Sequence, residues 1–425
     1  MKILIANYRY FVSGGPERYM FNVIGALTDR GHDVIPFSIR YSQNHPTPYD
    51  RYFVSPLAGD DQVFFRDQPF TPGVVLKTLS RLFYAPDVEA AVKRLAEDTR
   101  PDVAYVLHYF RKLSPAVLVG LKKAGLPIVA RLSDYAMLCP ATSCSRDGHP
   151  CELCVRGDIS ASIRYRCVKG SLPISAVNAA ATWYHRRRRY FDSVDYFVTT
   201  TRFMYDMMLS AGYAPERLVH IPTFVDSDFF HPSDQREVEG DPYFVYVGRL
   251  DYDKGVHILL DAWQRLKKGN KGRGFQLKIA GAASGDEGYA ESLKAKDVPD
   301  VAFLGELSKQ AIADLVRNAY MAIVPSVCYD NLPNSVLESY ASGVPVIASQ
   351  IGSFKECVVE NETGLLFEVG NSDELAQRME AAIDHPGRVA SMSLNARRAA
   401  LDEYSPEKHL ASLESLFVKA TGKNQ

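Results

Sequence analysis

One pattern constrains this chain more than any other: a short apolar run, a longer amphipathic stretch, then another apolar run, repeated through both halves. KILIA (Lys2–Ala6), DVIPF (Asp33–Phe37), DVAYVL (Asp102–Leu107), PIVARL (Pro127–Leu132) and DYFVTT (Asp195–Thr200) read as strands. In the second half YFVYVG (Tyr243–Gly248), QLKIAG (Gln276–Gly281), VAFLG (Val301–Gly305), MAIVPS (Met321–Ser326) and PVIAS (Pro345–Ser349) do the same. Helical spacing marks Glu17–Leu27, Pro115–Ala124, Val256–Lys267, Gln310–Asn318, Asn334–Ser342 and Ser372–Ile383. Strands without alternating polarity expect cover on both faces, the condition of a parallel sheet. The expected class is therefore α/β, with two doubly wound, Rossmann-like domains facing across a cleft. A Pro-, Asp- and Ser-rich stretch at about 221–242 marks the junction, dividing the chain into 1–225, 226–404 and a closing segment 405–425.

Composition narrows the function. A chain of 425 residues with 46% hydrophobic and 23% charged residues is neither disordered, collagenous nor a coiled coil, and needs no disulfide framework. The 49 Lys and Arg against 50 Asp and Glu leave no basic excess, so no nucleic-acid partner is expected. No apolar run approaches the roughly 20 residues of a membrane span. The start, MKILIANYRY, lacks a long apolar region and a cleavage site. It reads as a first strand, and the expectation is a cytoplasmic protein.

Three loops carry the chemistry. The first places Gly14 and Gly15 between the first strand and its helix. Adjacent glycines allow positive φ and close approach of a ligand, and the helix N-terminus favours an anion. The pattern is not G-x-G-x-x-G, so a nicotinamide or flavin cofactor is not expected; the bland reading is a tight strand-to-helix turn. The second runs from Gly248 through Arg249 to Lys254 after a strand. Two cations there suit a diphosphate whose charge grows as it departs, unless Asp251 and Asp253 merely neutralise them. The third runs from Asp330 to Glu338. Asn331, Leu332, Pro333, Asn334 and Ser335 would expose backbone N–H groups at a helix tip, a phosphate seat. Glu338, one turn inside, could accept two sugar hydroxyls. Simple capping by Asp330 and Asn334 is the competing account, against which stands the cost of an unpaired carboxylate at Glu338 among apolar residues.

On these residues the chain resembles the retaining GT-B glycosyltransferases that carry an acid-x7-acid motif (family 4, group 1 type). Asp330 and Glu338 have that spacing, Gly248, Arg249 and Lys254 match G-R-x4-K, and Asn361–Leu366 is similar to the N-G-x-x-G-L-L segment. Val301–Gly305 resembles the strand and loop near the nucleotide base; Pro101–Asp102 and Ser114–Leu121 resemble the acceptor-side half. The resemblance implies a retaining transfer from a nucleotide diphosphate sugar to a hydroxyl acceptor, a glycan or lipid-linked glycan, in bacterial surface polysaccharide or glycolipid synthesis. It implies an acceptor-binding domain at 1–225, a nucleotide-sugar domain at 226–404, and a closing helix from 405 crossing back to the first. Glu338 would hold the donor ribose, Asp330 would contact the transferred sugar, Arg249 and Lys254 would bind the diphosphate, and Gly15 would lie below it. Gly305 would belong to the base-side loop.

Two departures stand out. Asp330 is one methylene shorter than the usual Glu, and Ser133 occupies the place of a histidine that precedes Asp134 in the family's pattern. His108, at the end of the Asp102–Leu107 strand, is the candidate substitute; a polar strand-end histidine is the plain alternative. No protein nucleophile is apparent, so attack on the leaving-group face is favoured, with the departing diphosphate accepting the acceptor's proton. No cofactor is then required for catalysis, and the strings Asp226-Ser-Asp228 and Asp251-Tyr-Asp253 are not read as metal sites.

Five of the seven cysteines fall between Cys139 and Cys167. Cys151 and Cys154 form a C-x-x-C pair, which with Cys167 and either Cys139 or Cys144 makes zinc spacing; free buried thiols or an oxidised pair are the alternatives. The run His185–Arg189, following Trp183 and Tyr184, could rest on anionic lipid, or be a solvated helix face. The first would make the protein peripheral on the inner face of the cell membrane. Other readings of the whole chain are a GT-B epimerase or phosphorylase, and a catalytically silent nucleotide-sugar-binding scaffold.

Overall fold

Every apolar run of the first half enters one sheet. The computed structural model describes residues 1–59, 61, 71–233, 241–269, 272–283, 287–331 and 334–422. It shows β1 (Lys2–Ala6), β2 (Asp33–Phe37), β3 (Val103–Val106) and β4 (Ile128–Arg131), then a small antiparallel ribbon, β5 (Ser145–Arg146) with β6 (His149–Pro150). β7 (Tyr196–Thr199) and β8 (Leu218–His220) follow. The second half supplies β9 (Tyr243–Val247), β10 (Gln276–Ala280), β11 (Val301–Gly305), β12 (Met321–Val324), β13 (Val346–Ser349) and β14 (Gly364–Phe367). Among the described residues these make two six-stranded parallel sheets, ordered β2-β1-β3-β4-β7-β8 and β11-β10-β9-β12-β13-β14. Ile3 to Ala6, all of β3 and all of β4 are buried, as are β12 and β13. Cover on both faces is why these runs show no alternation.

In each sheet the first strand is flanked by strands reached in opposite directions: β1 by β2 and β3, β9 by β10 and β12. Loops leaving such strands diverge and open a crevice at their C-terminal ends. The loops after β1, β3, β9 and β12 therefore form the candidate site.

Two strands of the large sheets escaped the apolar-run criterion, as did the two-residue strands of the small ribbon. β8 and β14 are short sheet-edge strands, and β14 begins with a glycine. β11, expected to be covered on both faces, is also an edge, and Leu304 within it is exposed. The helices Pro86–Thr99 and Pro386–Asp402 were likewise not separable by pattern, because charged residues dilute their apolar faces.

The helix Pro386–Asp402 packs on the second half, with Ala396 and Ala400 in that core. The chain then returns. In the helix Pro406–Thr421, Leu410, Leu413, Leu416 and Phe417 bury against Ile3, Val103, Tyr105 and Val129 of the first sheet. At about 2 kcal/mol per buried side chain this docking is a substantial tie. The outward and return crossings touch: the Val225 amide donates to the Tyr404 carbonyl at 3.0 Å.

Candidate functional site

The loop after β9 lies against the loop after β12, and one glycine permits it. Gly255 has φ 70°, and a Cβ there would stand 1.9 Å from the Pro325 carbonyl oxygen. Ahead of it, the Gly248 amide donates to the Ala280 carbonyl, and the Tyr246 hydroxyl fills the space a Gly248 side chain would need. With the loops in contact, the Lys254 ammonium reaches both Asp330 oxygens, at 2.6 and 2.8 Å. Ser326 donates to Asp330 Oδ2 at 3.1 Å, and Ser353 donates to the Asp330 carbonyl at 2.6 Å. Burial alone would push the Lys254 ammonium down, but the Asp330 carboxylate more than offsets it, and the net shift is upward.

Arg249 behaves differently. Its guanidinium pairs with Asp251 and lies 3.7 Å from Asp253, and it is half exposed. Each cation thus has a carboxylate beside it, Arg249 within its own loop and Lys254 at Asp330 of the acid-x7-acid loop.

Glu338 sits in the helix Asn334–Ala341, one turn from its start. It lines a cavity of about 340 Å³ with Gly15, Arg18, Lys309, Asn334 and Leu337. Burial raises its carboxyl above the usual range, opposed by Arg18 and Lys309. Arg18 Nη1 lies 3.8 Å from Glu338 Oε1. The cavity is thus shared between the halves of the chain, and a Cβ on Gly15 would come within 3.0 Å of Asn334 Nδ2. Neither glycine adopts the positive φ expected: Gly14 is extended and Gly15 begins the helix Gly15–Asp29. What Gly15 supplies is room against Asn334.

Other candidates separate. Asn334 and Ser335 open their helix, whose first N–H groups have no intrahelical partner. The Asn331 side chain instead spans to the first half, donating to the Leu132 carbonyl at 2.7 Å and accepting from Thr200. Leu332 and Pro333 lie outside the described residues. Gly305 ends β11 with φ 67° beside open space and does not line the cavity. Asp226 caps the Phe229 amide and lies 3.4 Å from Lys309.

His108 has a partner that the sequence did not announce. Its Nε2 is 3.2 Å from Asp134 Oδ2, its ring meets Tyr8 edge-on, and its buried Nδ1 has no hydrogen-bond partner among the described residues. Burial would raise the Asp134 carboxyl, yet the hydrogen bond from His108 holds it below its usual value. Ser133 accepts from Arg131 at 3.1 Å. Arg18, Lys309 and Ser326 were missed by motif reading, and Asp134 was named there only as the neighbour of Ser133. Arg18 alone left a signal, three residues after Gly15 on the same helix.

The cysteine loop reaches across the cleft. Glu152 accepts from the Tyr329 hydroxyl at 2.8 Å, and the turn between β5 and β6 brings Gly148 against the Tyr252 ring. All five cysteines are free. Cys139 is central: hydrogen bonds involving Cys144 and Cys154 hold its thiol low, and Cys151 and Cys167 also lie near enough to interact with the cluster. Thiolate donors suit zinc chemically, but as placed the thiols pack against one another. Among the described residues no group of three or more His, Cys, Asp or Glu is arranged to hold a metal ion.

The run His185–Arg189 is split. His185 is buried and bonds the Phe83 carbonyl at 2.8 Å, and Arg186 donates to the Met137 and Leu138 carbonyls. Only Arg187, Arg188 and Arg189 are exposed, which corrects the expectation of five residues on one solvated face. No helix among the described residues is long and apolar enough to cross a membrane.

Residues 14–223 match the glycosyl transferase 4-like domain, and residues 228–399 match the glycosyl transferases group 1 family. Glycogen synthase from Mycobacterium tuberculosis is 24% identical over 99% of this chain and 95% of its own. The MMP alpha-(1->4)-mannosyltransferase of Mycolicibacterium hassiacum is 28% identical over 51% of each. Among solved structures, sucrose-phosphate synthase from Thermosynechococcus elongatus superposes with a TM-score of 0.72 at 17% identity, covering 99% of both chains. Anabaena HepE in complex with UDP gives 0.66 at 18%, over 98% of this chain and 99% of its own. The shared architecture is the two-sheet GT-B fold.

Proposed function

The chain belongs to the group 1 glycosyltransferases, and from that membership we propose that it transfers a sugar from a nucleoside diphosphate sugar to a hydroxyl acceptor with retention. The observation that carries this reading is the joined loop pair: Lys254, Asp330 and Ser326 in contact beside a two-sided cavity ending on Glu338. In this proposal 226–404 binds the donor, 1–225 receives the acceptor, and 405–425 ties the two. Glu338 accepts the ribose hydroxyls, displacing the long contact with Arg18. The helix tip at Asn334 and Ser335, Gly15, Gly248, Arg249 and Lys254 surround the diphosphate. Asp330 touches the transferred sugar while Lys254 holds it.

The bond between the anomeric carbon and the diphosphate oxygen breaks as the acceptor oxygen bonds to that carbon on the same face. The acceptor's proton passes to the departing diphosphate, whose growing charge Lys254 and Arg249 stabilise. Both Asp330 oxygens are engaged, which supports this course over a covalent sugar–aspartate intermediate. His108, held by Asp134, would face the sugar. A lipid-linked glycan is the proposed acceptor by analogy with neighbours such as WaaG, a glycosyltransferase involved in lipopolysaccharide biosynthesis. A structural zinc in the cysteine loop rests on the spacing of Cys151, Cys154 and Cys167 with Cys139 or Cys144, and would require the thiols, packed against one another here, to open around the ion.

Thermal shift against a panel of nucleoside diphosphates and their sugars tests the donor site, since a ligand bound only by the folded state raises Tm. One nucleotide should stabilise the protein, and Glu338→Gln should remove most of that shift. Equal shifts in both proteins would remove the ribose assignment.

A further inference from the structure

Exposed large apolar side chains concentrate on two helices remote from the cavity-lining residues, Pro72–Phe83 and Leu172–Arg187. On the first, Leu76 is 71% exposed and Leu79 lies one turn further on the same face. On the second, Leu172, Val177 and Trp183 are exposed, with Trp183 at 59%; helical spacing places Leu172 and Trp183 on one face with Arg187. The two helices meet where Phe83 packs on Tyr184 and the Phe83 carbonyl bonds His185.

Charge accompanies this apolar ground in one sign only. From Ile159 to Tyr190 there is no Asp or Glu, against Arg164, Arg166, Lys169 and the four arginines 186–189. Thr71–Ala85 also has no acid; its Arg81 is buried and paired with Asp87, which leaves Lys77 as the cation of that stretch. The whole chain is near neutral, so this is a segregated patch. Arg164 and Arg189 have acidic neighbours in Asp158 and Asp192. Arg166, Lys169, Arg187 and Arg188 have no acidic partner among the described residues, and all four are exposed.

We propose that this two-helix face docks the protein on an anionic lipid bilayer, with Leu76, Leu79 and Trp183 entering the headgroup boundary and the arginines meeting lipid phosphates. An exposed aromatic and aliphatic stripe flanked by unpaired cations has the chemistry of an interfacial anchor. A second copy of this chain is disfavoured as occupant, because a two-fold contact would set like charges against each other. The short run His185–Arg189 that the sequence singles out thus becomes part of a surface built from two helices far apart in the chain.

The test uses the intact protein without nucleotide, so its outcome is independent of the donor assignment. Trp263 is fully buried, which leaves Trp183 as the reporter of the two tryptophans. Vesicles of phosphatidylcholine with phosphatidylglycerol should bind the protein and shift Trp183 emission to the blue; phosphatidylcholine alone should do so far less. Salt should weaken binding, and each of Arg187→Gln and Arg188→Gln should lower it about 5-fold, the order expected per charge at such a surface. Leu76→Ser/Leu79→Ser should reduce binding while leaving the unfolding curve unchanged, since both side chains are solvent-facing. Absence of vesicle binding, binding indifferent to these variants, or shielding of Trp183 by self-association or by an RNA probe in place of vesicles would each overturn the proposal.

Discussion

Lys254→Met is the most informative perturbation of the joined loops. The ammonium stands 2.6 and 2.8 Å from the two Asp330 oxygens, and the side chains are only 16% and 20% exposed. Removing it strips Asp330 of its cation and leaves the neutral Ser326 hydroxyl donating to its carboxylate. Breaking a buried pair from one side costs about 3–5 kcal/mol, and the partial exposure here places the expected loss at the lower end, about 3 kcal/mol. In the reaction, loss of a donor aimed at the developing leaving-group charge should lower kcat by about 10²–10³. The two effects separate in Lys254→Met/Asp330→Asn, where no unpaired charge remains. Its Tm should recover most of the way to that of the parent, while kcat stays low. Release of nucleoside diphosphate, with the sugar nucleotide that gives the largest thermal shift, measures kcat and KM. If Lys254→Met kept kcat within about threefold of the parent, or if the double variant regained activity along with stability, the ammonium would have a structural role alone and the reasoning would fail.

Other consequences are as direct. Gly255→Ala should cost about 1–3 kcal/mol through its positive φ, and more through collision with the Pro325 carbonyl, lowering Tm and nucleotide binding together. His108→Asn and Asp134→Asn should each reduce kcat by about 10² yet leave the nucleotide thermal shift intact, because the pair lies apart from the residues lining the Glu338 cavity. His409 is buried, bonded to the Pro222 carbonyl and the Tyr19 hydroxyl, and burial lowers its pKa from 6.5 to about 4. Between those values the unfolded chain binds a proton that the folded chain refuses, so stability is full above pH 6.5 and falls as pH drops toward 4. The loss is about 3 kcal/mol at most, and His409→Gln should flatten that part of the urea midpoint against pH. Metal analysis of protein purified without chelator should find about one zinc per chain; none at stoichiometric level would leave the five cysteines as packed thiols.

The sheets were legible because burial writes itself into composition. A strand covered on both faces is apolar along its covered length, so KILIA declared its own limits, and DVIPF and VAFLG did so even at sheet edges. The strand-to-helix loops were legible for a related reason: glycines and charges cluster where a chain must turn and meet a ligand. Leu218–His220 was not legible, because three residues at a sheet edge need little apolar signal to join it.

The sequence by itself therefore determined the α/β class, the two-part organisation and the segments that would carry charge to the cleft. Only the tertiary structure decided who meets whom. Lys254 chooses Asp330, 76 residues away, over the nearer Asp251 and Asp253, because Gly255 lets its loop rest on the Pro325 carbonyl. Arg18 faces Glu338, and His108 faces Asp134, across distances in the chain that no spacing rule encodes. The physical reason is that apolar burial is a property each segment carries alone, whereas an ion pair exists only between atoms that packing has already brought within a few ångströms.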